Sequence, residues 1–333
     1  MDAPVELPED APRDLAGAAA GHLPAGPQAV PPACAAPGYR SAEYAAAFAG
    51  LGRPLQLPQS GGWLLEREIP GSALRDAMGL YPLLCCADWT ALPQDLEAAG
   101  AAGLVSVTAV TDPLGAYDEA LLKDCFSRAA PYKEHFIADL SQPLESFVSK
   151  SHRQNARRAL RKLTVEVCEE PLRYLDDWVE LYGVLAQKHG ITGLRAFSRE
   201  SFEQQFRVPG MVMFRAADED GTVGLDLWYV DGDTAQGHLA AFSGRGYAKS
   251  ASYATKWTLL NHFAGKLRWV NFGGVAGTAG GQGGGLAHFK QGWSTTSRQT
   301  WICGRIFDEE AYQQLTRGLP ETGYFPAYRG GEF

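Results

Sequence analysis

No stretch of this 333-residue chain approaches the ~18 consecutive apolar residues that a membrane helix needs, so no membrane span is expected. Cysteine is sparse and scattered: Cys34, Cys85, Cys86, Cys125, Cys168 and Cys303 form no CxxC pair and no Cys/His ligand spacing. That argues against a zinc site or a disulfide framework and suits thiols in a reducing cytoplasm, so no metal is expected. Positive charge is not in excess either: 30 Lys and Arg stand against 38 Asp and Glu, a formal charge of −8. No global field draws such a chain to DNA or to an anionic membrane, and any anion site must come from a local basic cluster. Met1-Asp-Ala-Pro-Val-Glu has no basic region followed by an apolar run, so no secretory leader is expected and the reading is cytoplasmic. There is no P-loop, no Ser-His-Asp arrangement and no nucleophilic-cysteine motif. The glycines from 273 to 285 do not fit the GxGxxG fingerprint of a dinucleotide fold.

What is present is a globular composition, 45% hydrophobic and 20% charged, in a length that suits about two domains of roughly 100–200 residues. Residues 1–37 are rich in Ala, Pro and Gly and bury too little apolar surface to offset their ordering entropy, so a disordered tail is expected there. Residues 38–148 alternate short strands (Trp63–Ile69, Leu80–Cys86, Leu104–Val110, Glu134–Asp139) with helices (Pro93–Gly100, Tyr117–Phe126), the pattern of an α/β or α+β layer. A long amphipathic helix follows at 171–188, with Leu172, Leu175, Trp178, Leu181, Tyr182 and Leu185 as its core stripe. Three strands in a meander come next: Met211–Ala217, Thr222–Val230 and Thr234–Phe242. Then come a helix over 250–264, a short strand from Leu267, a glycine run, a helix, and a last strand at 298–307.

Four places carry chemistry. Ser149 to Leu163 reads as a capped helix whose Arg153, Arg157 and Arg161 fall four apart on one face, able to hold a phosphate or simply a solvated face. Asp226 stands among Leu225, Leu227 and Trp228, where an acid needs a partner or a task. His238 lies in the central strand, either a general base or a satisfied core histidine. The run from Phe272-Gly-Gly to Gly285-Leu-Ala-His-Phe-Lys290 is either an idle loop or a backbone opened for a ligand, followed by a cation able to stabilise an oxyanion.

Tyr132-Lys-Glu-His-Phe-Ile-Ala-Asp-Leu140, Ser151-His-Arg-Gln-Asn-Ala-Arg-Arg-Ala159, His238-Leu-Ala-Ala-Phe-Ser-Gly-Arg-Gly-Tyr247 and the Phe272 to Trp293 segment occur in an order that resembles the GNAT-like N-acyltransferases. The likeness is to the branch of Fem-type (FemABX) peptidyltransferases and related GNAT-like acetyltransferase domain proteins, and spans roughly residues 80–307. It implies two GNAT-like subdomains, each a mixed central sheet flanked by helices. The degenerate first would span 38–148 and the catalytic one 149–307, with 308–333 returning to the first. It also implies transfer of an acyl group to a small-molecule amine acceptor. Within it Lys290 would stabilise the oxyanion or hold donor phosphate, Phe289 would shape the acyl slot, and Gly273 and Gly274 would give the acceptor room. Asp226 and His238 are the candidate groups for orienting or deprotonating the amine.

Gly244, Arg245, Gly246 and Tyr247 stand where acetyl-CoA-binding relatives carry Arg/Gln-x-x-Gly-x-Gly/Ala, a signature this chain lacks in full. No permanently bound cofactor is expected. The co-substrate is an acyl-CoA-like thioester or, in the rival reading, an aminoacyl-tRNA whose RNA phosphates would meet the basic helix at 150–162. In that rival reading the transfer forms a peptide or amide bond. A third reading keeps the fold as a non-catalytic module that scaffolds a biosynthetic partner or binds an anion through Arg153, Arg157 and Arg161.

Overall fold

The computed structural model describes residues 36–275 and 284–332. The tail read at 1–37 therefore falls, but for two residues, outside the described part, as does the middle of the glycine run at 276–283.

Local rules account for much of the element order. Side-chain oxygens of Ser41, Asp118, Ser149, Ser198, Ser243 and Asp308 each accept a backbone N–H at the start of a helix. In chain order the elements are α1 (Ala42–Ala46), β1 (Arg53–Leu57), β2 (Gly62–Glu68), β3 (Arg75–Gly79), α2 (Leu92–Ala101), β4 (Leu104–Val110), α3 (Glu119–Cys125), β5 (Arg128–Asp139), α4 (Leu144–Phe147), α5 (Lys150–Ala159) and β6 (Thr164–Cys168). They continue with α6 (Leu175–His189), α7 (Arg199–Phe206), β7 (Met211–Asp218), β8 (Gly221–Asp231), β9 (Thr234–Phe242), α8 (Gly244–Ala248), α9 (Ala251–Phe263), β10 (Trp269–Asn271), α10 (Gly284–Gln291), β11 (Thr296–Ile306) and α11 (Glu309–Thr316).

Two expectations about the first half are corrected. Leu80–Cys86 is not a strand; the strand is Arg75–Gly79, and Leu84 makes only a single bridge to Thr111. Pro82 has no N–H to give a ladder, which ends pairing there. An unforeseen strand, β1, lies at the sheet edge, the one place where Pro54 is tolerated within pairing.

All the described strands form one sheet, in the order β1-β2-β3-β4-β11-β5-β10-β9-β8-β7-β6. The two halves repeat a plan. Antiparallel strands lead into a helical crossover, α2 in the first half and α9 in the second, and the crossover returns a parallel neighbour. Each half then ends on a long strand, and these two are exchanged: β5 pairs with β10 of the second half, and β11 with β4 of the first. Their mutual pairing, from Thr296↔Ile137 to Gly304↔Arg128, welds the halves.

Side chains sort by face. Leu225, Leu227 and Tyr229 of β8 join Leu65 and Met78 in a core filled by α1, α6 and α7. Trp228, Phe214 and Val270 face the opposite way, onto Leu259, Leu260 and Phe263 of α9 and Ala156 of α5. Leu175, Trp178, Leu181 and Tyr182 of the expected stripe are buried on α6, with Leu172 and Leu185 half-buried against the same core. Residues 308–332 lie against the first half, where Tyr328 meets Ser106 and Arg329 forks onto Asp76. Among the described residues, no helix is long and apolar enough to cross a membrane.

Candidate active site

The second half opens where β9 and β10 part. They pair over only three residues, Trp269↔Thr234 to Asn271↔Gln236, after which β9 runs on to Phe242 without β10 beside it. Gly237 stands at the fork. A Cβ there would lie 3.0 Å from the Asn271 carbonyl and 3.2 Å from the Trp228 ring, so only glycine lets the strands close up to this point.

Asn271 ends the pairing. Its Oδ1 accepts from Gly273 N at 2.8 Å, a side-chain-to-backbone turn that sends the chain off through Gly273, whose φ is +76°. The same Oδ1 lies 3.2 Å from His135 Nδ1, which therefore donates, and Asn271 Nδ2 gives 2.6 Å to Gln236 Oε1. Gln236 passes the chain on to Asp112 at 3.1 Å. Burial, with Lys290 and Lys133 adding repulsion, drives His135 down to about 3, so the ring is a neutral donor.

Lys290, on α10, reaches back to the fork, where its Nζ donates to the Gly274 carbonyl at 2.6 Å. Although the residue as a whole is only half-buried, its ammonium is enclosed. Desolvation, then the charges of Lys256 and Lys133, pull its pKa down to about 7 against the opposing pull of Asp226. Lys256 Nζ sits 2.5 Å from Asp226 Oδ2 and over the Trp228 ring at 4.9 Å, while Trp228 Nε1 donates to Asp226 Oδ1 at 2.9 Å. Asp226, 2% exposed, thus has its partner, and the pair brings a second cation to bear on Lys290.

Phe289 packs edge-on against Tyr253 at 5.0 Å. Its carbonyl accepts from His152 Nε2 at 3.0 Å, and His152 Nδ1 accepts from Ser149 Oγ at 2.7 Å, which assigns the tautomer. Gly292 leaves room for that imidazole, with which any Cβ would collide. Through His152, α5 clamps α10 and so holds Lys290 at the fork.

No family model matches the sequence, and no curated protein matches it. Solved structures match in shape. The crystal structure of FemX superposes with a TM-score of 0.62 at 12% identity, covering 82% of this chain and 93% of that one. The chain has the FemX fold. A C-terminal domain (DUF2156) from Agrobacterium fabrum, described as that of a lysylphosphatidylglycerol synthetase, gives 0.56 at 14% identity over 82% and 89%. L-PGS from Bacillus licheniformis gives 0.54 at 16% identity over 81% and 93%. The large mixed sheet flanked by helices is the mixed α/β class that the Fem-type, GNAT-like resemblance implies, although it is one continuous sheet rather than a separate sheet for each subdomain.

Within this FemX fold the expected site residues divide. Lys290, Gly273 and Gly274 meet at the fork, Phe289 lines the adjoining helix, and Asp226 joins them through Lys256. His238 does not. It faces the core of α1 and α7, with Nδ1 at 3.1 Å from the Tyr39 hydroxyl and Nε2 at 2.8 Å from Gln205 Oε1, and burial lowers it to about 3. Both ring nitrogens are satisfied there.

Gly244, Arg245, Gly246 and Tyr247 form the short turn α8. Gly246 N is capped by Ser243 Oγ, Arg245 is bound to Asp218 at 3.0 Å and Asp220 at 2.7 Å, and Tyr247 is half-exposed. Arg157 is exposed on α5, and Arg153 is half-buried with an enclosed Nε that has no partner among the described residues.

Sequence reasoning missed Lys256, His135, Gln236 and His152. For Lys256 a signal existed, since an acid amid apolar neighbours demands a cation. His152 and His135 sat unremarked inside the segments that carry the resemblance. Among the described residues no group of three His, Cys, Asp or Glu could hold a metal ion. Two cavities, of about 700 and 510 Å³, lie away from the fork, so charge and strand geometry mark this site rather than volume.

Proposed function

We propose that the chain is an acyltransferase that joins an activated acyl group to an amine at the β9/β10 fork. The observation that carries this reading is Lys290, an amine at the mouth of the fork, hydrogen-bonded to the Gly274 carbonyl, with its proton loosened first by burial and then by Lys256 and Lys133. An amine attacking a thioester or ester carbonyl builds up a tetrahedral oxyanion. Lys290, in its protonated form, donates to that oxygen and regains basicity as the negative charge develops beside it. The intermediate collapses by expelling a thiolate or a ribose alkoxide, which takes up the amine's proton. The transfer therefore balances without a dedicated base, and His238, locked in the core, is not required for it.

Two donors suit such a site. The acyl-thioester reading needs phosphate contacts at α8, where Arg245 is held by Asp218 and Asp220 and the Gly246 amide is capped. The aminoacyl-tRNA reading places the phosphates on the basic face of α5, with Arg153, Arg157 and Arg161, and needs no rearrangement at α8. That engagement of Arg245 favours the aminoacyl ester. One neighbour of this fold is also named for lysylphosphatidylglycerol synthesis.

The test is an assay of purified protein with radiolabelled acetyl-CoA and with a charged tRNA mixture, each against a panel of amines, alongside Lys290→Ala. Transfer from charged tRNA that Lys290→Ala removes is expected. Transfer from the thioester alone reverses the choice of donor, and a fully active Lys290→Ala variant rejects the site.

A further inference from the structure

At the opposite end of the sheet β1, β2 and β3 join Gly193, Leu194 and residues 329–332 around a cavity of about 700 Å³. Three strands, β4, β11 and β5, separate it from β10. Four guanidinium groups line it: Arg53, Arg67, Arg75 and Arg329. Their partners are unequal. Glu66, 5% exposed, takes Arg53 and Arg75, the latter at 2.5 Å. Asp76, 1% exposed, takes Arg329 through both arms of its fork at 2.9 and 2.7 Å, and Arg329 also donates to the Glu68 carbonyl.

Arg67, 7% exposed, has one anionic partner, Glu332, whose Oε1 accepts from Nη1 at 2.5 Å. Arg67 Nε and Glu332 Oε2 are both enclosed without a hydrogen-bond partner among the described residues. A buried guanidinium is thus neutralised through Nη1 alone, and Nε–H, which forms its parallel fork with Nη2–H, is left without an anion. Arginine and an oxyanion bind best when two parallel N–H groups meet two oxygens, and a buried charge gains most from completing that match. The Glu332 carboxylate, whose Oε1 also lies 3.6 Å from Arg329 Nη1, sits beyond Gly330-Gly331, the second with φ +86°, a backbone free to turn it away.

We propose that this cavity is a binding site for a small oxyanion-bearing molecule, a carboxylate or a phosphate monoester, and that the Glu332 carboxylate, held on Arg67 Nη1, is the anion with which such a ligand competes for this guanidinium. Arg67 is the docking group, taking the ligand's two oxygens on Nε and Nη2. Arg329 is the second cation, held in place by Asp76 whether or not Glu332 stays. The volume falls within the several hundred Å³ of small-molecule pockets, which leaves room for the body of the ligand beside its anionic end.

Calorimetric titration of the whole chain with inorganic phosphate and with succinate, at constant ionic strength, tests this. Glu332→Gln removes the competing charge while keeping its shape, and should bind one of the two probes at least about tenfold more tightly than the parent chain. Whichever probe gains identifies phosphate or carboxylate as the favoured class. Arg67→Gln/Glu332→Gln, which removes both members of the pair, should lose that gain. If this double variant does not fold, Arg67→Lys/Glu332→Gln keeps the buried charge without the fork and should lose it likewise. No tighter binding by Glu332→Gln, or a gain that persists when Arg67 is replaced, overturns the proposal and leaves a structural ion pair.

Discussion

The sheet contains two places where a crossover helix returns a parallel strand, and only one is edged with charged side chains. In the first half β3 and β4 pair through Ala77↔Val107 and Met78↔Thr108. The chain beyond β3 then folds back so that Leu84 bridges Thr111. A Cβ at Gly79 would lie 3.1 Å from that of Ala109 and 3.3 Å from that of Leu84, so this fork is zipped shut with small and apolar side chains. In the second half the chain leaves β10 after three residues, turned out by the Asn271–Gly273 bond, and the opening is edged with Lys290, Lys256 and Asp226. The same topology therefore makes a core in one half and a candidate site in the other. What differs is whether the segment after the parallel pair returns to fill the gap.

The comparison can be broken most forcefully at Asp226. Asp226→Ala leaves the Lys256 ammonium buried without its counter-charge, a loss of about 3–5 kcal/mol. Chemical denaturation should show it, and a variant as stable as the parent means Lys256 simply turns to solvent. Next is Lys290→Ala, expected to lower turnover about 100- to 1000-fold by removing one oxyanion donor, with a melting temperature close to the parent's.

The closed fork gives the opposite signature. Leu84→Ala should cost about 2 kcal/mol, the low end for such a truncation because the returning segment can settle, while activity per folded molecule is unchanged. Lost activity at full folding would mean that the two forks are coupled.

The smallest effect is in pH. Because Lys290 titrates at about 7, kcat/KM should fall as pH rises through 7, tenfold per unit beyond it, and a rising limb there would make Lys290 the base instead. The same group links to stability. Its pKa is 10.5 in a free chain and about 7 when folded, so between these values the unfolded state binds the extra proton and stability climbs with pH. Lys290→Met should flatten that climb, and an unaltered slope in pH-dependent denaturation would count against the enclosed ammonium.

Much of the second half was legible because its signals are local. The three-strand meander, the capped helices and the short strand before the glycine run follow from alternation, turn residues and Ser caps, and they stand within a few residues of where periodicity puts them. The first half was harder. A strand at its edge containing Pro54 and a proline-broken run at Leu80–Cys86 mislead any reading by composition. The exchange of β5 and β11 leaves no trace in either strand, since pairing partners more than about 125 residues apart impose no spacing on the chain.

The candidate site divides along the same line. Phe289-Lys290 after the glycines, and an acid among apolar residues at Asp226, are local oddities and could be named from the chain alone. That Lys256 is the cation at Asp226, that His238 is satisfied by Tyr39 and Gln205, and that Arg245 is spent on Asp218 and Asp220 depend on partners brought close only by folding. The sequence by itself determined which residue types are available and which segments become strands and helices, because those rest on interactions within a turn or a pleat. Tertiary structure alone decided which of two identical forks stays open and which lysine loses its grip on a proton. Burial and charge act through space, and the distances that set them are fixed only when the sheet closes.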